Sequence, residues 1–152
     1  MKLILPVQNL TEHFTLAELT FSDYAIRHGI SNIPDVKQIE ALRDLCVMIL
    51  EPLRLAINRP IISISGFRCE RVNKGVGGNK FSQHHLGQAD DFYAKGITIE
   101  ELFQVIQELK LPFDQLIQEY DRWIHCSYRL NPRGEVWRYT KKYGKTVKTK
   151  IK

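Results

Sequence analysis

The chain lacks any apolar run near the ~18 residues of a membrane span. Its first residues, MKLILPVQ, carry one Lys and a short apolar stretch that ends at Pro6. A secretory leader needs roughly 7–15 apolar residues, so none is expected and the chain should be cytoplasmic on synthesis. Cysteine is scarce: Cys46, Cys69 and Cys126 are the three present, with no C-x-x-C pair. That excludes a Cys-rich zinc knuckle and points to free thiols in a reducing compartment. No internal repeat or low-complexity linker is visible, which excludes solenoid, collagen-like and disordered classes.

Acidic residues are missing from one end. Residues 138–152 hold seven Lys/Arg and no Asp or Glu, whereas the first 137 carry 15 basic and 17 acidic residues. The net charge of +5 is therefore local. The simplest reading is a frayed, solvated tail. The alternative is an anchor for polyanions such as wall teichoic acid, lipid headgroups or nucleic acid. Only Tyr139 and Tyr143 interleave with these charges, so nucleic acid ranks last and no specific nucleic-acid partner is expected.

What is present suits one globular domain of 152 residues with 43% apolar and 26% charged residues. Thr15 with Glu18, and Thr98 with Glu101, are capping-box patterns that open helices. A second short helix is predicted over 22–28, stopped by Gly29. The longest helix starts at Pro34-Asp35. Val36, Ile39, Leu42, Leu45, Cys46, Ile49, Leu50 and Leu53 form its apolar stripe. Pro52 should kink it or end its regular part. The helix from Thr98 should turn Leu102, Val105, Ile106 and Leu109 inward. Strands are predicted over 61–65, 88–92, 115–120, 123–128 and 136–140. Helices come mostly first and strands last, which favours α+β with a small antiparallel sheet and helices mainly on one side.

The most informative stretch is Ser82-Gln83-His84-His85-Leu86-Gly87-Gln88-Ala89-Asp90-Asp91. A His and an Asp seven residues apart flank a Gly that permits a sharp turn. Imidazole and carboxylate are both zinc ligands, and their side chains meet if a loop returns into a strand. Alternation along that strand selects Asp91 over Asp90 only if Ala89 faces the site. A catalytic zinc needs a third ligand and an open position. His13 and His28 lie in a polar segment and read as surface residues. His125, within Trp123-Ile124-His125-Cys126-Ser127-Tyr128, sits among apolar neighbours. It is the candidate, and a satisfied structural histidine is the ordinary alternative.

The fixed positions Ser82, His84, Gly87, Ala89 and Asp91 make the pattern S-x-H-x-x-G-x-A-x-D. This resembles the metallopeptidase family of zinc D-Ala-D-Ala carboxypeptidases and phage L-alanyl-D-glutamate endopeptidases. Ser65-Gly66-Phe67-Arg68 is similar to its S-G-[FY]-R motif, and Trp123-Ile124-His125-Cys126-Ser127 to its W-[IV]-H-x-S motif. The stretches from Val72 through Gly78 and from Asp114 through Glu119 are also similar to its C-terminal catalytic-domain type. The resemblance runs over about 14–128 and implies the hedgehog/DD-peptidase fold. It implies zinc held by His84, Asp91 and His125, with Arg68 on the substrate carboxylate or the oxyanion. Ser82 and Ser127 would touch substrate.

Many relatives place a base in E-x-x-H, but Arg122 stands there and cannot accept a proton. Glu119 becomes the expected base, Asp114 the second candidate, and a water held by His85 the third. The resemblance thus implies a monomeric, endolysin-like zinc peptidase of peptidoglycan stem peptides. Its catalytic domain would span 1–137, followed by a basic strand end and tail over 138–152. The contrasting expectation is a non-catalytic zinc-binding module of the hedgehog type that binds cell-wall or other polyanionic material.

Overall fold

The computed structural model describes residues 8–152, and the reading of the extreme N-terminus lies outside them. Helices α1 (Leu16–Thr20), α2 (Asp23–Arg27), α3 (Val36–Leu45) and α4 (Glu51–Ile57) precede the first of six strands, and α5 (Glu70–Gly75) and α6 (Ile99–Glu108) fall between the early strands. The six strands are β1 (Ile61–Ser65), β2 (Ala89–Ala94), β3 (Gln115–Glu119), β4 (Trp123–Ser127), β5 (Glu135–Lys142) and β6 (Lys145–Lys150). The class is α+β. Both expected capping boxes form, with the Thr15 and Thr98 hydroxyls accepting from the Glu18 and Glu101 amides.

The long helix breaks one turn before Pro52. Residues 46–50 widen into a π turn, in which the Glu51 amide donates to the Cys46 carbonyl five residues back. Pro52 has no N–H to give, and its ring crowds the carbonyl of Met48, so the ladder re-registers around it. The stripe still reaches the core from Leu42 to Leu53, whereas Val36, at the helix start, is 72% exposed. In α6, Leu102, Phe103 and Ile106 are buried and Leu109, at the end, is not.

The sheet order is β1-β2-β4-β3-β5-β6. It is mixed rather than purely antiparallel, because β3 and β5 run parallel. The reason is the short loop 128–134. β4 ends beside the start of β3, where the Asp114 amide donates to the Ser127 carbonyl. The loop crosses β3 at that end, so β5 leaves in the direction of β3.

One face of the sheet carries the core. Phe92, Leu116, Ile124, Cys126 and Val136 pack there with Leu42, Leu45, Ile49, Leu50, Leu53, Leu102 and Ile106 of the helices. Cys46 and Cys126 are free and buried, and Cys69 is free and half-buried. The opposite face, bearing the alternate residues, is open for a site.

The basic end is not frayed. Residues 135–150 form a hairpin closed at Tyr143 (φ 50°) and Gly144 (φ 74°). Thr146, Val147 and Thr149 supply the β-branched residues that a strand favours. The proposed boundary after residue 137 falls inside β5.

On the core side, Arg138 donates from Nη1 and Nη2 to the two Glu100 carboxylate oxygens of α6, at 2.8 and 3.0 Å. The Arg138 hydrogen bonds hold the Glu100 carboxyl down to about 2. The folded pKa lies below the unfolded one, so this stabilisation is present above about pH 4.3 and is lost as pH falls toward 2. Accordingly, the gap in thermal unfolding midpoint between the native chain and Arg138→Ala should be constant from pH 7 to 5. It should close progressively below pH 4.3, which a pH series of melting curves reads directly.

Candidate metal and active site

Strand alternation decides between the two adjacent aspartates. Ala89 and Asp91 point to the open face, and Asp90 points into the core. Asp90 is fully buried and accepts from the Ser63 hydroxyl at 2.5 Å. Burial pushes its carboxyl well above the usual carboxylate range. Asp91 pairs in register with His125 of β4, so both side chains leave the same face at the same level.

The third group comes from the loop before β2. The Gly66 carbonyl accepts from His84 Nδ1 at 2.8 Å. That hydrogen bond assigns the Nδ1–H tautomer and leaves Nε2 as a free lone pair. Gly66 is needed for a close approach: a Cβ there would lie 2.4 Å from the Leu19 carbonyl oxygen. Gly87 lies at φ 72°, and its Cβ would meet the Gln38 carbonyl oxygen at 2.5 Å. This is the sharp turn that returns the chain from His84 into β2.

His84 Nε2 lies 3.4 Å, and His125 Nδ1 2.9 Å, from Asp91 Oδ1. Metal–ligand bonds of about 2.0–2.2 Å at tetrahedral angles put ligand atoms roughly 3.3–3.5 Å apart. The His84 separation matches that value and the His125 one is a few tenths shorter, so these three donors fit a small divalent ion. Burial holds His84 toward the neutral form that binds metal. Burial alone would raise the Asp91 carboxyl, but His84 and His125 outweigh it and keep it ionised. Arg68 Nη2 reaches the second oxygen of Asp91 at 3.2 Å, while its Nε donates to Ser65 Oγ at 2.9 Å. The carboxylate is thus aimed from behind by the S-G-F-R segment.

These groups border a cavity of about 570 Å³ that Glu119 and Ser82 also line. Glu119 ends β3, two residues beyond Ile117, which pairs with His125. Burial, and then Asp91, raise the Glu119 carboxyl above its ordinary value. β3 pairing places Glu119 there, and the chain turns back into β4 directly after it, with Tyr120 and Asp121 both at left-handed φ (57° and 56°). The Arg122 amide then donates back to the Glu119 carbonyl at 2.9 Å.

The other candidates lie elsewhere. Asp114 is fully buried and saturated by the Arg133 amide and guanidinium and by Arg129. It cannot reach a substrate proton. Arg122 borders a separate hollow beside Glu100 and Gln118. The His85 ring faces away, with Nδ1 on the Arg68 carbonyl at 3.1 Å. Ser127 is fully buried, its hydroxyl accepting from the Gln115 amide, and does not line the cavity. Ser82 accepts from the His84 amide at 3.2 Å, shaping the turn that carries the histidine. His28 is exposed against Tyr24, while His13 is half-buried and paired with Glu51 at 2.8 Å.

Trp123, Tyr139, Gln115, Arg133 and Phe81 also line the cavity. Counting back in twos from Glu119 would have found Gln115. Tyr139 depends on the parallel β3–β5 register, which no local pattern reveals.

The metal set gives a direct expectation. His84→Ala and His125→Ala should each abolish stoichiometric divalent-metal binding, read by elemental analysis after dialysis. The neutral isostere Asp90→Asn should keep one ion per chain, whereas Asp91→Asn should not.

No curated protein matches the chain. A family model described as Peptidase M15 matches residues 12–127, spanning the His84–Asp91 loop, Glu119 and His125. With that match over most of its length, and a His–Asp–His set converging beside a free carboxylate, the chain belongs to the peptidase M15 family of metallopeptidases.

Proposed function

We propose that the chain is a zinc-dependent peptidase that hydrolyses peptide bonds in the stem peptides of bacterial peptidoglycan, in the manner of an endolysin. One observation carries this reading. Two imidazole nitrogens and one carboxylate oxygen converge in a cavity that also holds a second carboxylate, Glu119, and a guanidinium, Arg68.

Zinc held by His84, Asp91 and His125 would supply Lewis acidity and a water acidic enough to ionise near neutral pH. Glu119 takes the proton of the attacking water and hands it to the leaving amine. Its desolvated position suits a group that must pass through both protonation states. Arg68 sets a fixed positive charge beside the place where the oxyanion develops, and its hold on Asp91 limits its freedom to move. Ser82 contributes a hydroxyl at the cavity wall next to the metal loop. Trp123 and Tyr139 add apolar area against which a peptide backbone can lie.

The test separates the base from the metal. Glu119→Gln should retain one zinc per chain yet lose about 10²–10⁴ in kcat on soluble stem peptides. Full activity in that variant would remove Glu119 from the mechanism. Activity unchanged by chelation would remove the zinc.

A further inference from the structure

The family match ends at Ser127, but the sheet does not. The β5–β6 hairpin continues the face that bears the candidate site. Pairing across β4, β3, β5 and β6 sets out two transverse rows. One runs His125, Ile117, Trp137, Lys150, and the other Trp123, Glu119, Tyr139, Lys148. Each row starts at the cavity and ends on a lysine.

These lysines are held over aromatic rings. Lys148 Nζ lies 5.0 Å from the Tyr139 ring centroid, and Lys150 Nζ 5.6 Å from that of Trp137. A ring face keeps an ammonium in place without cancelling its charge. Among the described residues no carboxylate lies within 4 Å of Lys148, and Lys150 reaches only Glu135, at 3.9 Å. Tyr139 belongs to both the cavity wall and this extension, and Arg133, in the loop that leads into β5, lines the cavity as well. On the reverse face the Arg138–Glu100 pair fastens the hairpin to α6.

We propose that the β5–β6 hairpin is a specificity element that binds carboxylate groups of an acidic peptide substrate, with Lys148 and Lys150 as the receiving cations. This rests on the peptidase reading above and names the substrate chemistry. The match is one of charge: within the cavity Arg68 and Arg133 are each paired with a carboxylate, Asp91 and Asp114, whereas the ledge beyond it holds Lys148 with no carboxylate within 4 Å among the described residues. The distance also suits a peptide. Three strand spacings of about 4.8 Å separate the metal row from the lysines, roughly four residues of extended chain. A general polyanion anchor would use both faces of the hairpin alike, including Lys142 and Lys145, which alternate away from the site.

The test uses the full chain and two sets of stem peptides. One set has free side-chain carboxylates, and the other has the same carboxylates converted to carboxamides. Binding is measured by calorimetry in the zinc-loaded Glu119→Gln background, which holds the peptide without turning it over, and kcat and KM are measured separately with Glu119 in place. Lys148→Gln/Lys150→Gln should weaken binding of the free-acid peptides by about two- to fivefold per lysine, as exposed ion pairs do. KM should rise with kcat unchanged, and the carboxamide peptides should not respond. Lys142→Gln/Lys145→Gln should behave as the native chain.

Equal losses on both peptide sets, or no loss on either, would overturn the proposal. So would poly(glycerol phosphate) binding that both double variants weaken alike, which would mark a polyanion anchor instead. Binding is read without turnover, so the two readings fail separately. A chain that binds acidic peptides through the lysines but cleaves none refutes the peptidase reading alone. A chain that cleaves both sets equally well refutes the ledge alone.

Discussion

The structure turns on one oxygen. Asp91 Oδ1 is shared by His84 Nε2 and His125 Nδ1, and everything that delivers those three atoms is constrained by that meeting. β2 must present Asp91 outward, so its neighbour Asp90 must enter the core. There burial raises its carboxyl, and the Ser63 hydroxyl supplies its hydrogen bond. β4 must pair with β2 so that His125 lands opposite Asp91. The loop must turn sharply at Gly87, and Gly66 must lie against Leu19, for the His84 ring to be fixed by the Gly66 carbonyl. Arg68 then holds the remaining oxygen of Asp91. Removing any one of these leaves a buried, unpaired polar group as well as an incomplete site.

Much of this was legible from residue order alone. Caps at Thr15 and Thr98 are local chemistry, and local chemistry reads well from sequence. The choice of Asp91 over Asp90 needed one fact, the direction of Ala89, which a two-residue period could pose but not answer. Glu119 was reachable because Arg122 could not serve and the strand end was close by. Two features were not legible. The parallel β3–β5 pair depends on how a short loop crosses the end of β3, a matter of tertiary path. Of the hairpin over 135–150 only the first strand was legible; β6 was masked by its charge, because lysines take half of Lys145–Lys150 and leave Thr146, Val147 and Thr149 as its β-branched residues. Asp114 illustrates the converse. It belongs to a motif, yet its two arginine partners make it a structural anchor for the loop that carries β5.

The division of labour between the two sheet faces ties fold to chemistry. One face holds the apolar core and buries both Cys46 and Cys126. The other carries the converging His84, Asp91 and His125 side chains, Glu119, and the lysines of the β5–β6 hairpin on a surface of paired strands. Sites built on strands hold their geometry more tightly than sites on loops. Here only His84 and Arg68 come from irregular backbone, and both are tied down by hydrogen bonds to neighbours.

The most direct measurement is mass spectrometry of purified peptidoglycan after incubation with the chain, first stripped by chelator and then reconstituted with one equivalent of zinc. New stem-peptide fragments, each explained by hydrolysis of one peptide bond and appearing only with zinc, are the expected result. Fragments that form equally without metal, or an unchanged profile with zinc bound at His84, Asp91 and His125, would contradict the assignment.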